Sequence, residues 1–478
     1  MIEVKRTDIV LKADPKLVLP LFLKLNKKRY NDLVSKMGSL NDESVEKTLN
    51  QVFDEFENRH IDFKDILLKH YQIIADIVTI PESISLSRKL LIGAYFTKEY
   101  SIESAALFNP SIVVHPNQDG CNSDMVRFIM SLRATGEGHI SSVAFRTGLI
   151  SKDGEIILDM PSDKLIAAKK NINTVYKKTF IRDRTQFDEK INPVVFEYLP
   201  DEFSEQQAYR IIADIESKNL IKLKETKEVL EAVFDTNYEI TFDKSIAMSS
   251  RVIFPSAKAE SMGMEDVRFV KFSENNEDIY IATYTAYNGK NIRVQIIETK
   301  DFDTFKIRSL HGEAVQGKGM ALFPEKIKGK YAFIGRQGGT DISIMYSDDL
   351  YFWNEYKVIQ KPEHVWEMTQ LGNSGSPIKT PQGWLLLTHA VGAMRKYVLS
   401  ATLLDLNDPE KVLATLDHPL LSPNSNEREG YVPNVVYTCG LIQHGENLII
   451  PYAMSDSAIS FATVNLQSLL EELLENKK

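Results

Sequence analysis

The sequence of 478 residues contains two cysteines, Cys121 and Cys439, far apart in the chain. This excludes a disulfide framework and leaves a Cys/His metal site without ligands at usable spacing. No apolar run reaches the ~18 residues that a membrane-spanning helix needs, so no membrane partner is expected. The opening Met1-Ile2-Glu3-Val4-Lys5-Arg6 lacks an apolar signal core, which leads to the expectation of a cytoplasmic protein. Positive charge is also short: 57 Lys and Arg against 66 Asp and Glu give a net charge of −9 and a pI near 5.6. A chain-wide basic footprint for nucleic acid is thereby excluded. The remainder is ordinary for a globular protein, 43% apolar and 26% charged, with length for one large domain and appendages.

Residues 1–100 read as a helical N-terminal extension. Asp14-Pro15 suits an N-cap and first turn for a helix over residues 17–25. Asn41 or Ser44 caps a second helix bearing Val45, Leu49, Val52, Phe53 and Phe56. A third runs through Ile66, Leu67, Tyr71, Ile74 and Ile77, and another follows Pro81. These stripes carry more apolar surface than one short bundle can hide, so a homo-oligomer is expected. Residues 101–470 form the main domain, broken at about 160–245 by a charged helical stretch. That stretch passes through Ile211, Ile215 and Leu220 to Leu230 and Val233. It reads as an insertion, mostly solvated surface with one apolar face.

In the main domain short β-type runs repeat. Units begin at Phe108, Val267, Leu322, Gly375 and Val432, the last four about 55 residues apart. Each of these four leads through a turn into an apolar strand: 279–284, 331–335, 384–389 and 448–452. Short strands at this period predict a mainly β fold, a five-bladed β-propeller carrying the N-terminal extension and the helical insertion. The first strand of each unit should line the central channel. The polar residues at those positions are Asn109, Asp266, Arg268, Lys318, Glu325, Ser374, Ser376 and Asn434. One polar group per unit facing one axis is a candidate binding site.

The sharpest chemistry lies in Ser261-Met262-Gly263-Met264-Glu265-Asp266-Val267-Arg268-Phe269. Gly263 permits a sharp turn before an apolar strand, and a carboxylate presented there is suited to act as a general acid.

This stretch, together with Ala321-Leu322-Phe323-Pro324-Glu325-Lys326-Ile327, Ser347-Asp348-Asp349-Leu350 with Trp353, Gly383-Trp384-Leu385-Leu386 with His389, and Glu429-Gly430-Tyr431-Val432-Pro433-Asn434-Val435-Val436, resembles glycoside hydrolase family 130. That family comprises five-bladed propeller enzymes that phosphorolyse or hydrolyse β-mannosides. The resemblance spans residues 105–469 without the helical insertion. It implies Asp266 as the proton donor, acting through a hydroxyl of the bound mannose in one inverting step. It further implies sugar contacts from Asn109, Arg133, Glu265, Arg268, Glu325, Glu429 and Asn434. Lys318, Arg336 and His389 match the family's phosphate-binding positions, Lys318 standing where Arg is common.

Gln370 departs from the pattern, occupying a position the family fills with Lys. A neutral amide there weakens a phosphate site, so water is expected as acceptor ahead of phosphate. Glu325, Glu367, Glu427 and Glu429 are then the candidate bases. The alternative is a phosphorylase releasing mannose 1-phosphate, with inorganic phosphate as co-substrate. A third reading is a propeller that binds glycan or protein without catalysis. Neither metal nor nucleotide cofactor is implied, and the expected partner is a short oligosaccharide.

Overall fold

The computed structural model describes residues 2–81, 83–171, 173–185, 188–219 and 222–475. The fold is mainly β. A four-stranded sheet runs Ala321–Leu322, Tyr331–Gly335, Ile342–Ser347, Lys357–Gln360. A five-stranded sheet is built on Gly383–Val391 and Tyr397–Leu404, and a six-stranded one on Asn447–Met454 and Ala458–Asn465. The largest sheet, of 12 strands, divides into two antiparallel ladders. One contains Ala106–Val114, Met125–Thr135 and Ser141–Ser151; the other contains Gly263–Glu274, Glu277–Tyr287, Ile292–Thr299 and Thr304–Ser309. The two ladders meet directly where Gly263 pairs in parallel with Ser141. Gly263 has φ of 138°, and a Cβ there would lie 2.7 Å from the Ser141 amide nitrogen. Only glycine fits this junction. Among the described residues, none of these sheets closes on itself.

The apolar runs found at 279–284, 331–335, 384–389 and 448–452 all lie in central strands, and their side chains fill the cores between sheets. Trp353 and Trp384 are fully buried against Phe333 and Phe323, so both serve packing.

Two readings of the helical parts are corrected. Residues 17–25 do not form a helix. Val18–Phe22 is a strand paired with Thr97–Ser101, and Leu17 and Leu19 pack beneath with Tyr100 and Ile102. Pro20 and β-branched Val18 suit an extended edge better than a helix interior. The helices of this region are Lys27–Gly38, Asp42–Phe56, Phe63–Ala75 and Leu86–Tyr95. Asn41 caps the second, its side chain accepting from the Ser44 amide at 2.8 Å. Ahead of them, Val4–Arg6 and Leu11–Lys12 pair with Ala458–Asn465, so the chain opens as strands of the C-terminal sheet.

The second correction concerns the insertion. Its helices Lys178–Thr185, Glu205–Asn219 and Lys224–Thr236 enclose a core of their own, with Tyr176, Phe196, Phe203, Ile212, Leu230 and Phe234 buried. Charge on the outer faces hides this core in the sequence. Leu220, assigned to its apolar face, lies outside the described residues.

Candidate active site

A cavity of about 230 Å³ lies where the sheets converge. Every ladder contributes to its wall: Asn109 and Arg133; Asp266 and Arg268; Lys318 and Arg336; Gln370, His389 and Arg395; Val435, Tyr437 and Asp456.

Asp266 and Asn109 arrive there by the same device. Each sits at a register shift in the first strand of its ladder, between Glu265 and Arg268 and between Phe108 and Ser111. Each has left-handed backbone, with φ of 55° and 49°. Such a bulge turns one side chain out of the strand's alternation, at a cost that surrounding structure must sustain. The two side chains then meet, Asn109 Nδ2 donating to Asp266 Oδ1 at 2.6 Å. Arg133 clamps both acids, with Nη1 3.1 Å from Asp266 and Nη2 2.7 Å from Glu265. Its Nε donates to Ser141 Oγ at 2.9 Å, which ties the clamp to the ladder junction. Lys318 Nζ reaches the other Glu265 oxygen at 2.6 Å. Arg268 donates to its own strand's Asp266 carbonyl at 2.8 Å and to the Tyr437 hydroxyl at 2.6 Å.

Two carboxyls share this cavity and are pushed in opposite directions. Burial drives the Asp266 carboxyl up, but Arg133, Arg268, the Asn109 hydrogen bond and Lys318 together outweigh it and hold it below the ordinary aspartate value. Burial also drives Asp456 up, here joined by the charge of Asp266. Arg133 and Arg395 oppose too weakly, and Asp456 is pushed up to about 7.

Across the cavity His389 is buried and neutral. Burial, then Arg336 and Arg268, lower its pKa well below the ordinary histidine value. Its Nδ1 lies 3.1 Å from the Asn373 carbonyl oxygen, to which it must donate. Nε2 is therefore an acceptor, with Gln370 Nε2 at 3.2 Å and Arg336 Nη1 at 3.3 Å. Arg336 Nε and both amide atoms of Asn373 are buried without protein partners, as is Arg268 Nε. Five cations (Arg133, Arg268, Lys318, Arg336, Arg395) line the cavity against Asp266 and Asp456, and Glu265 behind them makes three carboxylates. The excess favours an anion. Among the described residues, no group of three or more His, Cys, Asp or Glu is placed to hold a metal ion.

Three residues expected at the site lie elsewhere. Glu325 pairs with Lys379 at 2.5 Å, because it follows the strand Ala321–Leu322 whereas Lys318 precedes it, so the two occupy opposite ends. Glu429 is exposed in the loop 428–434. Asn434, with φ of 62°, closes the base of that loop by accepting from Arg428 Nε at 2.8 Å. Nor does any expected base line the cavity. Glu367 accepts the Glu363 and His364 amides of its own turn, and Glu427 is held by Arg6 and Tyr452. Ser374 and Ser376 are likewise absent from the wall.

Sequence reasoning missed Asp456, Arg395, Asn373, Tyr397 and Tyr437, which all line the cavity. Arg395 and Asp456 share one legible feature: each sits in the tight turn between two strongly apolar strands of its unit. Both have left-handed backbone, with φ of 53° and 50°.

The family profile described as beta-1,4-mannooligosaccharide phosphorylase matches residues 224–475, and the chain belongs to this family, glycoside hydrolase family 130. It is an enzyme acting on glycosides. A 1,2-beta-oligomannan phosphorylase of Thermoanaerobacter sp. is 35% identical over 223 residues, covering 46% of this chain and 73% of that protein. A beta-1,2-mannobiose phosphorylase of Listeria innocua is 31% identical over 228 residues, covering 46% of this chain and 63% of that one. The solved complex of the Listeria innocua beta-1,2-mannobiose phosphorylase with beta-1,2-mannobiose overlays with a TM-score of 0.45 at 20% identity, over 77% of this chain and 92% of that one. Phosphorylases of the family take inorganic phosphate as co-substrate and need no cofactor. Among the described residues no helix is long and apolar enough to cross a membrane.

Proposed function

We propose that this protein is an inverting β-mannoside phosphorylase acting on short β-1,2-linked mannooligosaccharides, with Asp266 as the acid. The observation that carries this reading is the cationic excess of a cavity in which none of the four candidate glutamate bases lies. Phosphate needs fixed positive donors, and Arg336, Arg268 and Lys318 supply them. The names of the related proteins favour the same acceptor. The expectation of hydrolysis rested on Gln370, which here shares His389 Nε2 with Arg336 while Arg395 adds a cation to the wall. Hydrolysis is thus the second reading.

In the reaction, a phosphate oxygen attacks the anomeric carbon opposite the leaving group. The C1–O glycosidic bond breaks as the C1–O phosphate bond forms, and the Asp266 proton ends on the leaving oxygen, relayed by a mannose hydroxyl. Phosphate also helps to make the acid. A dianion among Arg268, Lys318 and Arg336 offsets the charges that hold Asp266 ionised, so its proton affinity rises when both substrates are bound. Asp456, Asn109 and Arg133 are assigned to sugar hydroxyls, which a carboxylate, an amide and a guanidinium suit.

We read the antiparallel ladders as five blades around one axis, with the cavity on it. Contributions to the wall from all five support this. Residues 101–470 are the catalytic unit, and residues 1–100 and about 160–245 its additions. An apolar cleft among the N-terminal helices, lined by Val52, Phe56, Phe63 and Tyr95, supports a homo-oligomer. A cytoplasmic location accords with the sequence.

The test is product analysis with β-1,2-mannobiose, with and without inorganic phosphate. Mannose 1-phosphate formed only with phosphate is the expected result. Free mannose released equally fast without phosphate would overturn it in favour of hydrolysis.

A further inference from the structure

Beside the cavity, the loop 428–434 carries Tyr431, a residue 46% exposed. An exposed aromatic usually sits loosely, but this one is tied at its hydroxyl and at its backbone. Its hydroxyl is hydrogen-bonded to His139 Nδ1 at 2.9 Å, and the two rings lie 5.9 Å apart. Its backbone amide donates to Ser457 Oγ at 2.6 Å, and the next amide, of Val432, donates to the Ser455 carbonyl at 3.0 Å. At the base of the loop the Asn434 amide donates to the Arg428 carbonyl at 3.1 Å. Val432 of the same loop lines the cavity, so Tyr431 is the residue next to its wall in the chain.

The position of these anchors decides which part of a substrate could reach the ring. His139 lies in the turn after the strand Met125–Thr135, which carries the Arg133 that grips Asp266. Ser455 and Ser457 flank Asp456, whose carboxyl senses the Asp266 charge. Tyr431 is therefore tied to the elements that carry Arg133 and Asp456, on the acid's side. Phosphate attacks opposite the leaving group, so the leaving group lies away from the phosphate donors and toward the acid's side.

Resting on the phosphorylase reading, we propose that Tyr431, steadied by His139, is the stacking platform for the mannosyl unit that leaves, and so a determinant of acceptor specificity. A fixed ring offers an apolar face to the C–H face of a pyranose without charge, and its immobilisation lowers the entropy lost on binding.

Reverse synthesis separates this role from a structural one, because α-mannose 1-phosphate and the acceptor mannose occupy different parts of the site. In Tyr431→Ala the KM for mannose should rise about three- to tenfold, the range of an aromatic contact, while the KM for mannose 1-phosphate holds within about twofold. Tyr431→Phe keeps the ring but loses the His139 bond, and should fall between Ala and wild type. An unchanged mannose KM in Tyr431→Ala, with wild-type synthesis intact, overturns the platform alone. Equal rises in both KM values also overturn it, since they report damage shared by both subsites. Wild-type enzyme that makes no disaccharide sinks the phosphorylase reading and this assignment with it.

Discussion

The two sides of the cavity solve opposite problems. On the acid side, Asp266, Glu265, Arg133 and Asn109 contact one another at short range, and Lys318, which bonds Glu265 and is shared with the anion side, brings the charges close to balance. On the anion side, Arg336 and Asn373 hold buried polar atoms without protein partners, and the ring nitrogen that Arg336 reaches belongs to a neutral histidine. The acid side leaves one buried atom, Asn109 Oδ1, without a protein partner, whereas Arg336 and Asn373 on the anion side leave three. A residue of the first should therefore affect chemistry when changed, and a residue of the second should affect co-substrate binding.

The strongest challenge to that division is Asp266→Asn. It should lower turnover at least ~100-fold, the scale of a lost general acid, while β-1,2-mannobiose still binds by calorimetry. Near-full activity would remove Asp266 from its role. Arg336→Gln should instead raise the KM for phosphate roughly 10- to 100-fold, the worth of charge-assisted bonds, leaving the KM for oligosaccharide near its wild-type value. If both KM values rise together in steady-state assays, the two sides are not separable.

Asp456 sharpens the comparison on the acid side through pH. Its folded-state pKa of about 7 lies above the ordinary aspartate value, so the folded protein holds this proton more tightly than the unfolded chain. Its favourable contribution is therefore full below about pH 4 and is lost as the pH climbs to about 7. Asn does not titrate. The Tm of Asp456→Asn relative to wild type should thus climb by about 2 °C between pH 4 and 7 and stay level above, measured by thermal melts. A flat difference across that range would show that Asp456 is not held in a charge-poor setting.

The smallest effect is expected from Gln370→Lys. The added cation would attract phosphate but sit beside Arg336, so the phosphate KM should fall by no more than about threefold. A much larger fall would mean that Gln370 limits phosphate binding in the natural enzyme.

How much of this was legible in the chain follows from how each residue reaches the cavity. Asp266, Asn109, Lys318 and Arg336 flank apolar strands at regular intervals, and a pattern of period and motif finds them. Arg395 and Asp456 sit in hairpin turns, where polar residues are ordinary, and only three-dimensional convergence marks them. Glu325 and Glu429 failed for the complementary reason: nearness to a motif does not say which end of a strand a side chain occupies. The core of the insertion escaped notice because its charged outer faces dominate the local composition. The N-terminal strand pairing at residues 4–12 was hidden because its partner lies some 450 residues away, beyond any local signal.

That long-range pairing has a further consequence. Arg6, in the strand Val4–Arg6, bonds Glu427 at 3.0 Å, and the Glu427 carbonyl accepts from Ser455, which also secures the loop bearing Tyr431. Arg6 thus acts as a clasp whose far end reaches the loop bearing Tyr431. Arg6→Ala, which opens the clasp and leaves both strand pairings in place, should register as a change in acceptor preference before it registers as a loss of fold.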